Sequence, residues 1–152
     1  MKASSFFTKE QKAHILDAIK KAEKETSGEI RVHIETRHSG DVLDRASWIF
    51  KKLGMLRTKD RNGVLFYLAI KNRKFAVIGD IGINAKVPDG FWDKIRDIME
   101  ADFREKRFTE GLVKGILMTG TKLKEYFPHQ INDINELPDE ISFDDPDKTV
   151  IG

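Results

Sequence analysis

The chain has 152 residues, with 27 Lys plus Arg against 25 Asp plus Glu, four His, no Cys and 39% hydrophobic side chains. These values predict one domain that buries about 70% of its unfolded surface without disulfides or a structural metal, and they exclude thiol catalysis and zinc ribbons. With no run of about 18 apolar residues and no signal-like start at Met1-Lys2-Ala3-Ser4-Ser5-Phe6-Phe7, the expectation is a cytoplasmic monomer with no membrane segment.

The elements follow in chain order. Thr8-Lys9-Glu10-Gln11 reads as a capping box, and Ile15, Leu16, Ile19 and Ala22 recur at helical spacing up to a stop at Gly28. This predicts a first helix over about 9–26. Glu29 to Thr36 alternates, with Ile30, Val32 and Ile34 on one face and Arg31, His33 and Glu35 on the other. A strand half buried or near an edge is expected, with His33 an ordinary surface residue. Asp41 suits the cap of a second helix carrying Val42, Ala46, Ile49, Phe50 and Leu53 and ended by Gly54.

Val64 to Ile70 is apolar without alternation, as in a strand covered on both faces, and it is expected to be the central one. Lys71-Asn72-Arg73-Lys74 makes a polar turn into Phe75-Ala76-Val77-Ile78, with Asn72 suited to positive φ. Pro88-Asp89 opens a third helix with Trp92, Ile95, Met99 and Phe103 aligned. Thr109 caps a fourth, in which Gly111, Gly115 and Gly120 imply close packing. The order α-β-α-β-β-α-α predicts an α/β fold, a three-layer α/β/α sandwich with a small mixed sheet.

Charge is unevenly placed. From His129 onward seven acids face one Lys, whereas residues 1–128 carry 26 basic and 18 acidic side chains. Residues 1–128 are therefore expected to form the domain, and 129–152 an acidic tail, partly docked, whose last residues from Asp144 stay off the body. A basic body can attract polyanions, but Arg and Lys interleaved with base-stacking aromatics are absent, so no nucleic-acid partner is expected.

Familiar catalytic signatures fail. There is no P-loop, His-Glu-x-x-His, Gly-x-Ser-x-Gly or calcium-binding helix-loop-helix sequence, and nothing selects a Ser-His-Asp site. Acids instead converge by topology. A right-handed crossover makes the first two strands parallel, and the hairpin makes the third antiparallel to the second. Ser27-Gly28-Glu29, Asp60-Arg61-Asn62-Gly63 and Gly79-Asp80-Ile81-Gly82 then meet at one end of the sheet. Asp80, Asp60, Asn62 and Glu29 are the candidate metal-ligating residues. Clustered carboxylates raise one another's pKa, a penalty that a divalent cation removes. Calcium, which accepts oxygen from carboxylates, amides and carbonyls, suits glycine-flexed loops of this composition; magnesium is the alternative.

Ser27-Gly28-Glu29-Ile30, Asn62-Gly63-Val64-Leu65, Phe75 to Asn84 and Phe108-Thr109-Glu110-Gly111-Leu112 resemble, in that order, the TPM domain family, over about residues 6–127. The chain looks like the short cytosolic bacterial members of that family. The resemblance implies an α/β/α sandwich whose loops bind calcium or another divalent metal, with Asp80 and the 60–63 loop matching the acidic loops and Glu29 a weaker match. Three functions follow as expectations: a cation-binding module with a regulatory or partner-binding role; a metal-assisted acid phosphatase with no catalytic residue identified; or a metal-free interaction module docking through exposed Phe6 and Phe7 and the Ile/Leu-bearing tail.

Overall fold

The computed structural model describes residues 2–129, 140–144 and 150–151. Among these residues five α-helices, α1 (Lys9–Glu23), α2 (Val42–Lys52), α3 (Ile81–Asn84), α4 (Phe91–Arg104) and α5 (Phe108–Tyr126), accompany a five-stranded sheet. Its strands are β1 (Glu29–Glu35), β2 (Gly63–Ala69), β3 (Lys74–Gly79), β4 (Glu140–Phe143) and β5 (Val150–Ile151), in the order β3-β2-β1-β4-β5. β1 runs parallel to β2 and β4, while β2 with β3 and β4 with β5 are antiparallel. The expected α/β class and mixed sheet are observed.

Local signals explain most boundaries. At α1 the Thr8 hydroxyl accepts from Gln11 N at 3.1 Å, and the Gln11 amide oxygen accepts from Thr8 N at 2.9 Å. Asp41 accepts from Leu43 N and Asp44 N at the start of α2, and Gly54, at φ 76, turns the chain at its end. The third expected cap is not one. Thr109 lies inside α5, which begins after Arg107 without a side-chain cap. The corner before α5 is held by buried Asp102, whose carboxylate accepts from Arg107 at 3.0 and 3.1 Å and pairs with Lys114 at 2.8 Å. The Lys114 and Arg107 contacts outweigh burial and hold that carboxyl below its usual range.

α1, α4 and α5 cover one face of the sheet, over Ile30, Val32, Ile34, Val64, Phe66, Ile141 and Phe143. α2 covers the other, over Leu65, Tyr67 and Ala76. The α5 glycines are contact points, as expected: a Cβ would lie 2.6 Å from Phe103 at Gly111, from Met99 Sδ at Gly115 and from Ala22 at Gly120.

Several expectations are corrected. β1, not β2, is the central strand, because residues 140–143 add a parallel strand along its other side. Both faces of β1 are buried, His33 included. The tail thus contributes to the sheet, and Val150–Ile151 pairs with β4 beyond Asp144. The tail positions Ile131, Ile134 and Leu137 lie outside the described residues. In the hairpin the positive φ falls on Arg73 (52°) rather than Asn72. Asn72 instead accepts from His38 N at 2.9 Å, a bond across to the β1–α2 connection. α3 is an extra turn, and α4 starts at Phe91 after Gly90 rather than at Pro88. Phe7 is buried and Phe6 is half-buried, packed edge-on against Phe7 and Phe108. They are core and pocket wall, not exposed docking aromatics.

Candidate functional site at the loop end of the sheet

Backbone hydrogen bonds lace three stretches of chain together where β1 and β2 begin and β3 ends. Glu29 N donates to Asn62 O (3.5 Å), Asp80 N to Gly63 O (2.9 Å) and Gly82 N to Arg61 O (2.8 Å). Gly82 allows that last approach, since a Cβ there would stand 2.0 Å from Asp60 O and 2.6 Å from Arg61 O. α3 is fixed from its far side by Asn84, which donates to Gly79 O and accepts from Trp92 Nε1, each at 2.8 Å.

Within this frame Asp80 is 5% exposed and both its oxygens are engaged. Arg61 Nε donates to Oδ2 at 2.6 Å, Arg61 Nη2 to Oδ1 at 2.9 Å, and Ile81 N to Oδ1 at 2.7 Å. The two guanidinium bonds form the planar fork that favours Arg with carboxylate. Asp80 in turn holds the Arg61 guanidinium above its usual pKa range. Arg61 reaches Asp80 from a residue with φ 50 and keeps 38% of its side chain in solvent, so its hold is accessible from outside.

The other three residues are placed differently. Asn62 N donates to Thr58 Oγ1 (3.3 Å) and Asn62 Nδ2 to Ser27 Oγ (3.2 Å), while its Oδ1 is buried without a partner. Glu29 is buried at the start of β1. Burial depresses the neighbouring Arg31 to about 10, and the Glu29 carboxylate opposes that shift. Asp60 is exposed, and its backbone rather than its carboxylate meets α3. The fold therefore gathers Asp80, Asn62 and Glu29 at one sheet end and turns Asp60 to solvent. Among the described residues no group of three or more acidic or His side chains is close enough to hold an ion. The donor set meets a cation's needs in part, through an orphaned buried amide oxygen and a carboxylate already gripping positive charge.

A second polar cluster, not read from the sequence, lies beneath β1 on the α2 face. Glu35 accepts from Arg45 Nε and Nη2 (2.8 and 2.6 Å) and from the Tyr67 hydroxyl (2.5 Å). His33 Nδ1 is 2.7 Å from Ser142 Oγ, and its Nε2 is 3.7 Å from Glu35 Oε2. Burial pushes the Glu35 carboxyl up, but hydrogen bonds from Arg45 and Tyr67, with the His33 ring nearby, prevail and hold it far below the carboxylate range. Burial and the same carboxylate raise the Tyr67 phenol. Although Ser142, His33 and Glu35 stand in sequence like a nucleophile, base and acid, all three are buried. With all three side chains buried, the cluster braces the sheet, tying β4 and α2 to β1.

Comparison with known proteins places this geometry among relatives. A family model described as the TPM domain matches residues 1–122. The chain is similar to the BA42 protein of the psychrophilic bacterium Bizionia argentinensis, solved by NMR, at 47% identity and TM-score 0.85, covering 91% of this chain and 96% of that one. The N-terminal domain of a P. gingivalis protein matches at 22% identity and TM-score 0.68, over 84% of each chain. The N-terminal domain of the Corynebacterium glutamicum cg2496 protein matches at 13% identity and TM-score 0.62, over 78% of this chain and 74% of that one. These last two are likenesses of fold alone. No curated protein matches. Among the described residues no helix is long and apolar enough to cross a membrane.

Proposed function

The chain belongs to the TPM domain family, and on that premise we propose that it is a cation-responsive binding module in which calcium, or magnesium, competes with Arg61 for the Asp80 carboxylate. One observation carries the reading: Asp80 is a buried carboxylate whose charge is balanced through a solvent-exposed guanidinium on a loop. Burial of an unpaired carboxylate is costly, so the group requires a positive partner. A divalent ion satisfies that requirement as an arginine does and also recruits oxygen from Asn62 and Asp60. Glu29 adds negative charge behind them. Release of Arg61 frees the 58–62 loop and its contact with Gly82, so occupancy changes the surface that a protein partner or phosphorylated ligand meets.

An ion that binds only the folded chain adds about 2.7 kcal/mol when it is a hundredfold above its Kd, or about 5 to 10 °C in Tm for a domain of this size. Thermal melts of the full chain in calcium, magnesium and chelator measure this. The parent protein gains stability with metal and Asp80→Asn does not. A parent indifferent to both ions, or an Asp80→Asn variant with the parent's response, overturns the assignment. The phosphatase alternative draws on the same cation, as a Lewis acid toward a phosphoryl oxygen. Its mark is turnover of an aryl phosphate that disappears in Asp80→Asn.

A further inference from the structure

The opposite end of the sheet holds a cavity of about 620 Å³ between the β2–β3 hairpin, the end of α4 and the start of α5, within the range of small-molecule sites. Its wall is four half-buried phenylalanines. Phe6 meets Phe108 at 5.1 Å between ring centroids, Phe75 meets Phe103 at 4.9 Å and Phe103 meets Phe108 at 5.4 Å. The rim is basic: Arg73, Lys74, Arg104 and Lys106 line it against a single acid, Glu100. That acid is taken by Arg104 at 2.9 Å. Arg73, Lys74 and Lys106 have no ion pair among the described residues. Arg73 and Lys106 also sit at φ 52 and 61, two of the three non-glycine residues among the described ones in a backbone region that concentrates at ligand clamps.

Rings that can cover an apolar body, below cations that lack counter-charges, are complementary to one class of molecule. We infer that this cavity binds an amphipathic monoanion, an acyl or aryl body ending in a carboxylate, with the body against Phe75, Phe103 and Phe108 and the head between Arg73 and Lys106. Paired cations recognise a carboxylate through charge-assisted hydrogen bonds. A neutral alcohol of equal length keeps the ring contacts and loses the head contact. The site is remote from Asp80 and independent of any cation bound there.

Dodecanoate below its micellar concentration, titrated into the full chain and followed by amide chemical shifts, tests the inference, with dodecanol and dodecyltrimethylammonium as comparators. Saturable shifts confined to Phe6, the 70–75 hairpin and residues 100–108 are expected, with dodecanol at least tenfold weaker and the cationic amphiphile weaker still. The variant Arg73→Gly/Lys106→Gly removes both charges at positions whose φ glycine adopts freely, so the fold is retained. It is expected to lose at least tenfold in dodecanoate affinity while dodecanol is unaffected. Equal binding of acid and alcohol, shifts spread over the whole chain, or unchanged affinity in the double-glycine variant overturns the proposal.

Discussion

The contact between α3 and the 58–62 loop supports the whole candidate site, and Gly82→Ala isolates it. A methyl at Gly82 would stand 2.0 Å from Asp60 O, 2.6 Å from Arg61 O and 2.9 Å from Arg61 C. All three are backbone atoms, so no rotamer change relieves the clash and the loop must retreat by more than 1 Å, given a normal carbon–oxygen contact above about 3 Å. Retreat breaks the 2.8 Å bond from Gly82 N to Arg61 O, a loss of about 1 kcal/mol, and adds overpacking strain of about 1–3 kcal/mol. The expected destabilisation is therefore about 2–4 kcal/mol, read as a fall of roughly 5–15 °C in Tm and as a lower urea midpoint with unchanged m-value. Gly40→Ala is the comparator: Gly40 sits at φ 77 with nothing within 4 Å of the new Cβ, so it costs only the conformational penalty of about 1 kcal/mol. If Gly82→Ala is no less stable than Gly40→Ala, the close approach of α3 to the loop is wrong, and the Arg61–Asp80 geometry with it.

Two further substitutions test other parts of the structure. Glu35 has a depressed folded-state pKa, so its stabilisation is present above the unfolded value of about 4.3 and is lost as pH falls through and below that value. Glu35→Gln should cost about 2–3 kcal/mol at pH 7, with the gap to the parent protein narrowing as pH falls below about 5 and still narrowing below about pH 3 in urea titrations; parallel stability curves between about pH 5 and pH 3 would contradict the brace. Thr8→Ala removes the hydroxyl that accepts from Gln11 N and should lower stability by about 1 kcal/mol in the same assay, an unchanged midpoint arguing against the capping box.

Sequence pattern read well wherever neighbours along the chain decide the structure. The Thr8–Gln11 box, the Asp41 cap and the Gly54 stop are local hydrogen-bonding problems with local answers, and all three are found. Failure began where a partner came from far away. Arg31, His33 and Glu35 alternate with Ile30, Val32 and Ile34 as solvent-facing residues do, yet they are buried, with Arg45 and Tyr67 bonding the Glu35 carboxylate and Ser142 meeting His33 Nδ1. The alternation Ile141-Ser142-Phe143 was the available signal for the missing strand, hidden by the acids around it. At the candidate site, topology brought the three loops together as expected. The Arg61–Asp80 fork was not legible, since it spans 19 positions and depends on a positive φ at an arginine. The Phe6–Phe108 contact joins positions too far apart for sequence pattern to reveal, so by pattern alone Phe6 looks like a free surface group.

β1 sits at the middle of the sheet but acquires β4 from a segment 109 positions later, as the His33–Ser142 spacing measures. On a ribosome this has a consequence in time. β1 and β2 can zip together early, leaving the far edge of β1 bare until 71 further residues, from Ala69 to Glu140, have been synthesised. A bare strand edge invites pairing with neighbouring nascent chains. The charged residues Arg31 and Glu35 on β1 disfavour such encounters during the wait, and the late strand, when it arrives, adds the His33–Ser142 contact on the same face. Synthesis order thereby divides the polar face of β1 between two duties: Arg31 and Glu35 guard an open flank first, and His33 fastens the finished sheet afterwards.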